Sequence, residues 1–128
     1  MQHLLLIAVG GMLGAMSRYA LSKWIYQAVN EIFPWGTLAI NLSGSLLIGI
    51  FFELFDQSVI PSDLRSLITI GFLGAYTTFS TYSLETVNLL REGEIRLCLT
   101  NVVLSNVLGL MLVIMGMQAT RLLMRVAR

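Results

Sequence analysis

The chain is poor in the residues that most protein chemistry needs. It has one cysteine, Cys98, and one histidine, His3. A single cysteine allows no intrachain disulfide and no cysteine metal cluster, and it carries no information about redox compartment. With His3 at the N-terminus, His/Cys zinc sites and Ser-His-Asp catalysis have no residues to build on, and no nucleophile–base pair stands in their place. Only 12% of the residues are charged, roughly half the fraction of a soluble domain. The net charge of +1 gives no footprint for nucleic acid. What fills the 128 residues instead is apolar: 56% hydrophobic, with a mean hydropathy of +0.80. So little polar surface fits a chain whose solvent is the bilayer. Met1 to His3 carries no Lys or Arg ahead of the apolar run and no clean small-residue cleavage site follows before Arg18. Leu4 onward therefore reads as a mature membrane helix rather than a signal peptide.

A spanning helix needs about 20 largely apolar residues, and four segments qualify. The first runs from about Leu4 to Tyr26, with Lys23, Trp24 and Tyr26 as interface anchors. Pro34 and Trp35 open the second, from about Thr37 to Leu54, closed by Glu53, Asp56 and Gln57. Pro61-Ser62-Asp63 opens the third, from about Leu64 to Leu90, with Ser62 or Asp63 as N-cap. Arg91-Glu92-Gly93-Glu94 makes a polar turn before the fourth, from about Ile95 to Met117. Arg121, Arg125 and Arg128 then mark a basic amphipathic extension. The expected architecture is a single all-α domain over 1–128 with four transmembrane helices.

The third segment is unusual. Thr77, Thr78, Ser80, Thr81 and Ser83 place five hydroxyls within seven residues, just after Gly71 and Gly74. Glycine and β-branched threonine support a helix poorly. Irregular backbone at membrane depth is tolerated where protein or a water-filled cavity covers it. A break is expected near Gly74 to Thr78.

Four spans put both termini on one side. Arg65, Arg121, Arg125 and Arg128 then fall on the terminal side, and Arg18, Lys23, Arg91 and Arg96 on the other. Four cations against four pick no orientation. One reading is that a weak bias still wins; the other is dual topology, with two opposed copies forming an antiparallel homodimer.

Small residues recur at the spacing that lets helices approach closely in lipid: Gly10 and Gly14, Ser45 and Gly49, Gly71 and Ala75, Ser105 and Gly109. These indicate a tight bundle. Polar residues at depth say more, because each needs a partner. Thr37, Asn41 and Ser45 share one face of the second segment; Asn101 and Ser105 share one of the fourth. Interhelical hydrogen bonding is one reading of these stripes, a polar pathway the other. Arg18 and Glu85 are read as the only charges embedded in the bundle, both toward segment ends. Arg18 reads as a snorkelling or a vestibule residue, and Glu85 as a helix end or part of the pathway. Phe79 and Tyr82, three apart, read as packing or as pathway. A lining of amide N–H, hydroxyl O–H and aromatic ring edges presents positive dipole ends. Such a lining suits a small anion that must shed water without being trapped by a full charge.

GAMSRY (Gly14 to Tyr19), GTLAINLSG (Gly36 to Gly44) and GFLGAYTTFSTYSLE (Gly71 to Glu85) closely resemble the Fluc, or CrcB, family of bacterial fluoride channels. The resemblance covers nearly the whole chain. It implies an antiparallel, dual-topology homodimer with two pores in the bacterial inner membrane, in contact with lipid. It implies passive, highly selective fluoride conduction that relieves fluoride toxicity. The matching pore positions are Asn41, Phe79 and Tyr82, with a hydroxyl track at Ser80, Thr81 and Ser105. Arg18 and Glu85 match vestibule residues. Gly74 and Thr77 match positions whose backbone carbonyls hold a central structural sodium ion. Two residues depart from the family pattern: Tyr82 stands where phenylalanine is usual, and Tyr76 where a smaller or aliphatic residue is common. The Tyr82 hydroxyl needs a hydrogen-bond partner.

Two other classes share the small four-helix layout. A small proton-coupled multidrug transporter needs a membrane carboxylate in its first helix; this first segment has none, and Arg18 has the wrong sign. A non-conducting membrane subunit would transport nothing when purified alone.

Overall fold

A computed structural model describes residues 2–29, 31–57 and 60–126. Arg128, counted in the charge balance, lies outside the described residues. Within them the chain is helical, with no strand. Helix α1 spans Gln2–Ala28 and α2 spans Trp35–Gln57. Helix α3 covers residues 62–76 and contains a wide π-helical stretch, Ser66–Leu73. Thr77 and Thr78 are extended, and α4 begins afresh as Phe79–Arg91. Helix α5, Ile95–Val126, carries a second π-helical stretch at Leu104–Leu108.

Three of these helices are long and apolar enough to cross a membrane: α1 from His3, α2 and α5. The protein is a multi-pass integral membrane protein. The expected third span is instead divided between α3 and α4, neither of which is long enough alone. The bundle is inside-out relative to a soluble protein. Met12, Ile70, Leu110, Ile114 and Leu123 all lie half or more exposed, where lipid tails replace water. The few buried apolar residues, among them Leu38, Ile40, Leu73 and Leu89, sit where helices cross.

Glycine sets how close the helices come. A methyl group placed on Gly14 would stand 2.1 Å from the Phe72 carbonyl oxygen, and one on Gly10 2.3 Å from that of Leu67. This is the α1–α3 seam. In the α2–α5 seam, a methyl group on Gly49 would stand 2.2 Å from the Val113 carbonyl oxygen, and one on Gly116 2.5 Å from that of Leu46. Backbone thus meets backbone in both seams, the arrangement expected of small residues in lipid.

Helix α5 runs past Met117, where the fourth segment was expected to end. The basic tail continues the same helix, and Arg121 ties it to α2. Its Nε and a terminal guanidinium nitrogen donate to the Glu53 carboxylate at 2.9 and 3.0 Å. Gln57 donates to the same carboxylate. Glu53 is 2% exposed, which corrects the reading that Arg18 and Glu85 are the only embedded charges. A carboxylate this deep persists because it is paired and hydrogen-bonded.

Candidate functional site

The break between α3 and α4 is built by one side chain of α2. Asn41 Nδ2 donates to the Thr78 carbonyl at 3.0 Å, and the Thr78 N–H donates to Asn41 Oδ1 at 2.9 Å. Asn41 so takes the Thr78 N–H that the break parts from the Gly74 carbonyl, and adds a donor to the Thr78 carbonyl, which still opens the α4 ladder. Helix α4 then starts under its own cap: the Thr81 N–H donates to Thr78 Oγ1 at 3.3 Å. On the other side Thr77 N–H still bonds the Leu73 carbonyl, ending α3.

An open groove of about 430 Å³ lies along this break. Asn41, Phe79, Tyr82, Ser105, Gly74 and Thr77 all line it. The structure therefore brings together six of the ten candidate site residues, drawn from α2, α3, α4, α5 and the break. Its polar groups are amides, hydroxyls and backbone, with no charged side chain among the lining residues. The Phe79 and Tyr82 rings stand 5.8 Å apart and tilted by 48°. Phe79 is 79% exposed, so its ring projects out of the bundle.

Four candidates lie elsewhere. Ser80 and Thr81 are exposed on α4 and do not line the groove; Thr81 Oγ1 accepts from Thr78 Oγ1 at 2.9 Å, as part of the cap. Glu85 lines a smaller pocket of about 210 Å³ with Tyr26, Asn88 and Glu92. Its Oε1 accepts from Tyr26 and Thr37 hydroxyls, both at 2.9 Å, while its buried Oε2 has no partner among the described residues. Arg18 is half-buried on α1 and lines neither pocket.

The polar stripes resolve into pairs. Thr37 serves Glu85, Asn41 serves the break and Ser45 faces the groove. Asn101, 1% exposed, donates to Thr86 Oγ1 and accepts from Ser105. Tyr76 is buried, stacked on Phe72 with its hydroxyl 2.8 Å from Ser43 Oγ.

Two features of the groove escaped the sequence reading. The first is the pair of π-helical stretches on its walls. Thr69 and Asn106 each donate to the carbonyl four residues back, Arg65 and Val102, and so compete with the helical ladder. Wide turns of this kind often accompany functional sites. The second is Asn106 itself, which lines the groove and donates to the Tyr82 hydroxyl at 3.2 Å. A polar residue one position beyond the Asn101–Ser105 stripe was the only signal available.

Among the described residues, no cluster of His, Cys, Asp or Glu could hold a metal ion. Backbone carbonyls at the break are a different donor set. The Thr78 N–H, which would close on the Gly74 carbonyl in a continuous helix, is taken by Asn41. The Thr81 N–H, which would close on that of Thr77, is taken by Thr78 Oγ1. Gly74 and Thr77 thus present oxygens released from the ladder, a donor type that suits Na⁺.

The family model described as CrcB-like protein, Camphor Resistance (CrcB), matches residues 5–117. The chain belongs to the CrcB family. A curated relative named fluoride-specific ion channel FluC, from Magnetococcus marinus, is 44% identical over 118 residues, covering 91% of this chain and 96% of its own. The protein of the same name from Shewanella baltica strain OS185 is 47% identical, covering 92% and 95%. That of Citrifermentans bemidjiense is 46% identical over 124 residues, covering 96% and 100%. In this CrcB chain the family match ends before Arg121, so the Glu53–Arg121 tie reaches outside it.

Proposed function

We propose that the chain is a passive, highly selective fluoride channel, and not an enzyme, that lets fluoride out of the cytoplasm and so relieves its toxicity. The observation that carries the reading is the Asn41–Thr78 clasp, which opens a groove of neutral donors beside two aromatic rings. Fluoride is small and strongly hydrated. A pathway for it must replace water with N–H and O–H groups without a full charge to trap it. CrcB membership, and relatives named for this activity, support the same conclusion.

In this proposal residues 62–91 form one broken span, making four in all, and two subunits pair antiparallel to give two pores. The even division of cations and the outward-facing Phe79 support an assembly in which a partner covers the groove. Asn41, Phe79, Tyr82 and Ser105 form the pore; Ser80 and Thr81 continue it as hydroxyls, and Arg18 and Glu85 serve its vestibules. A sodium ion on the Gly74 and Thr77 carbonyls supplies a fixed positive charge near the anion path.

The test is flux from the purified protein alone. Liposomes loaded with potassium fluoride, given valinomycin, should release fluoride rapidly to an electrode, while chloride-loaded liposomes release almost none. No fluoride release from folded, assembled protein would remove the channel reading and leave a non-conducting subunit.

A further inference from the structure

Tyr82 stands at an aromatic position of the groove but carries a hydroxyl, and its surroundings fix what that hydroxyl can do. Asn106 Nδ2 donates to the Val102 carbonyl at 2.8 Å. A carbonyl oxygen only accepts, so this bond decides which end of the Asn106 amide is the NH₂. The same nitrogen lies 3.2 Å from Tyr82 Oη and has only hydrogen to offer it. Tyr82 Oη is therefore the acceptor in this pair. A phenol keeps its proton near the ring plane, on one of two sides of the C–O bond. Asn106 occupies one side, and the proton takes the other. Among the described residues no acceptor receives it. Both side chains line the groove, alongside Asn41, Phe79 and Ser105.

We propose that the Tyr82 hydroxyl is a hydrogen-bond donor to the permeating fluoride, and that Asn106 is the positioning residue that frees its proton for this use. The proposal rests on the reading of the chain as a fluoride channel and adds to it a second kind of contact. A bare ring offers only its weakly positive edge. An O–H group with its lone pair already engaged offers a full donor, and a hydrogen bond to an anion is roughly twice as strong as a neutral one. Fluoride takes such a donor better than chloride, because its charge is concentrated in a smaller ion.

The experiment is a double-mutant cycle read as the half-saturating fluoride concentration for efflux from liposomes. That quantity does not depend on how much of the protein is active. Tyr82→Phe and Asn106→Leu should each raise it about tenfold, the size expected when one hydrogen bond to a charged group is lost. The double variant should do no worse than either single one. Asn106→Asp provides a second arm, since a carboxylate accepts and so draws the Tyr82 proton away from the groove. Its shift should be larger with Tyr82 present than in the Tyr82→Phe background, where only its charge acts. Asn106 variants that shift the value equally in both backgrounds, or not at all, overturn the proposal. Silence of the unaltered protein instead overturns the channel reading beneath it.

Discussion

Gly14 and Gly74 are both small residues in membrane helices, and they do opposite things. Gly14 lies in a seam where the next atom is a carbonyl oxygen 2.1 Å from where its Cβ would be. Around Gly74 the nearest such atom is the Thr69 oxygen at 3.7 Å, and the residue opens onto the groove. The first glycine closes a gap between helices, and the second borders one that stays open. The polar residues divide in the same way. Glu53 is sealed in by Arg121 and Gln57. Asn41 spends both ends of its amide on the Thr78 backbone and leaves oxygens and hydroxyls facing the groove. Small and polar residues close a joint where the helices pack over them, and border an open groove where they do not.

The largest effect should come from filling the seam. Gly14→Val puts carbon against the Phe72 carbonyl, which cannot rotate away, and should destabilise the fold by about 3 kcal/mol. Loss of a monodisperse peak in detergent chromatography would show it. Gly74→Ala should leave the fold intact by the same assay, and equal damage at the two glycines would erase the contrast.

Asn41→Ala should follow. It strands the N–H of Thr78, which is 8% exposed, at about 1–3 kcal/mol, and takes away a second donor from a carbonyl that the first turn of α4 still satisfies. Thermal unfolding should drop and fluoride release should cease. Release that persists at the normal rate would show that the clasp does not build the path.

Glu53→Leu should also lower the thermal midpoint, because it leaves Arg121 with its carboxylate gone. Adding Arg121→Leu should recover most of the loss, as paired removal of such ions often does. Fluoride selectivity should be the same in the double variant as in the unaltered protein, since the tie lies outside the groove. A double variant no more stable than Glu53→Leu would show that the pair is not the source of the effect.

Tyr76→Phe should be the mildest. It removes one hydroxyl contact with Ser43 while keeping the stack on Phe72, and should cost about 1 kcal/mol. A shift no larger than replicate error in the thermal midpoint would show that the ring alone holds this corner.

Most of the helical layout was legible from runs of apolar residues. The first segment, read as Leu4 to Tyr26, is Gln2–Ala28, and Pro34 with Trp35 does mark the start of α2. Helix α5 was read as too short. Its last turns read in sequence as a basic amphipathic extension, and the bond from Arg121 to Glu53 shows them packed on α2. The π-helical stretches were not legible, since a turn widened by one residue leaves no periodic mark in a run of apolar residues. Six candidate residues share the groove, whereas Arg18 and Glu85 do not share one pocket. Distance along a helix tells how deep a residue sits, but not which neighbour it turns toward.

By itself the sequence determined a membrane-embedded, all-helical chain, because apolar length and scarcity of charge leave the bilayer as the only solvent that fits. It also marked Gly74 to Thr78 as weak helix, since glycine and β-branched threonine lower local helical preference. The tertiary structure decided how those residues are used. Asn41 lies 37 positions from Thr78 and Asn106 lies 24 from Tyr82. Such hydrogen bonds need two helices brought within about 3 Å at the right rotation. Helix packing sets that rotation, and no local pattern along the chain encodes it.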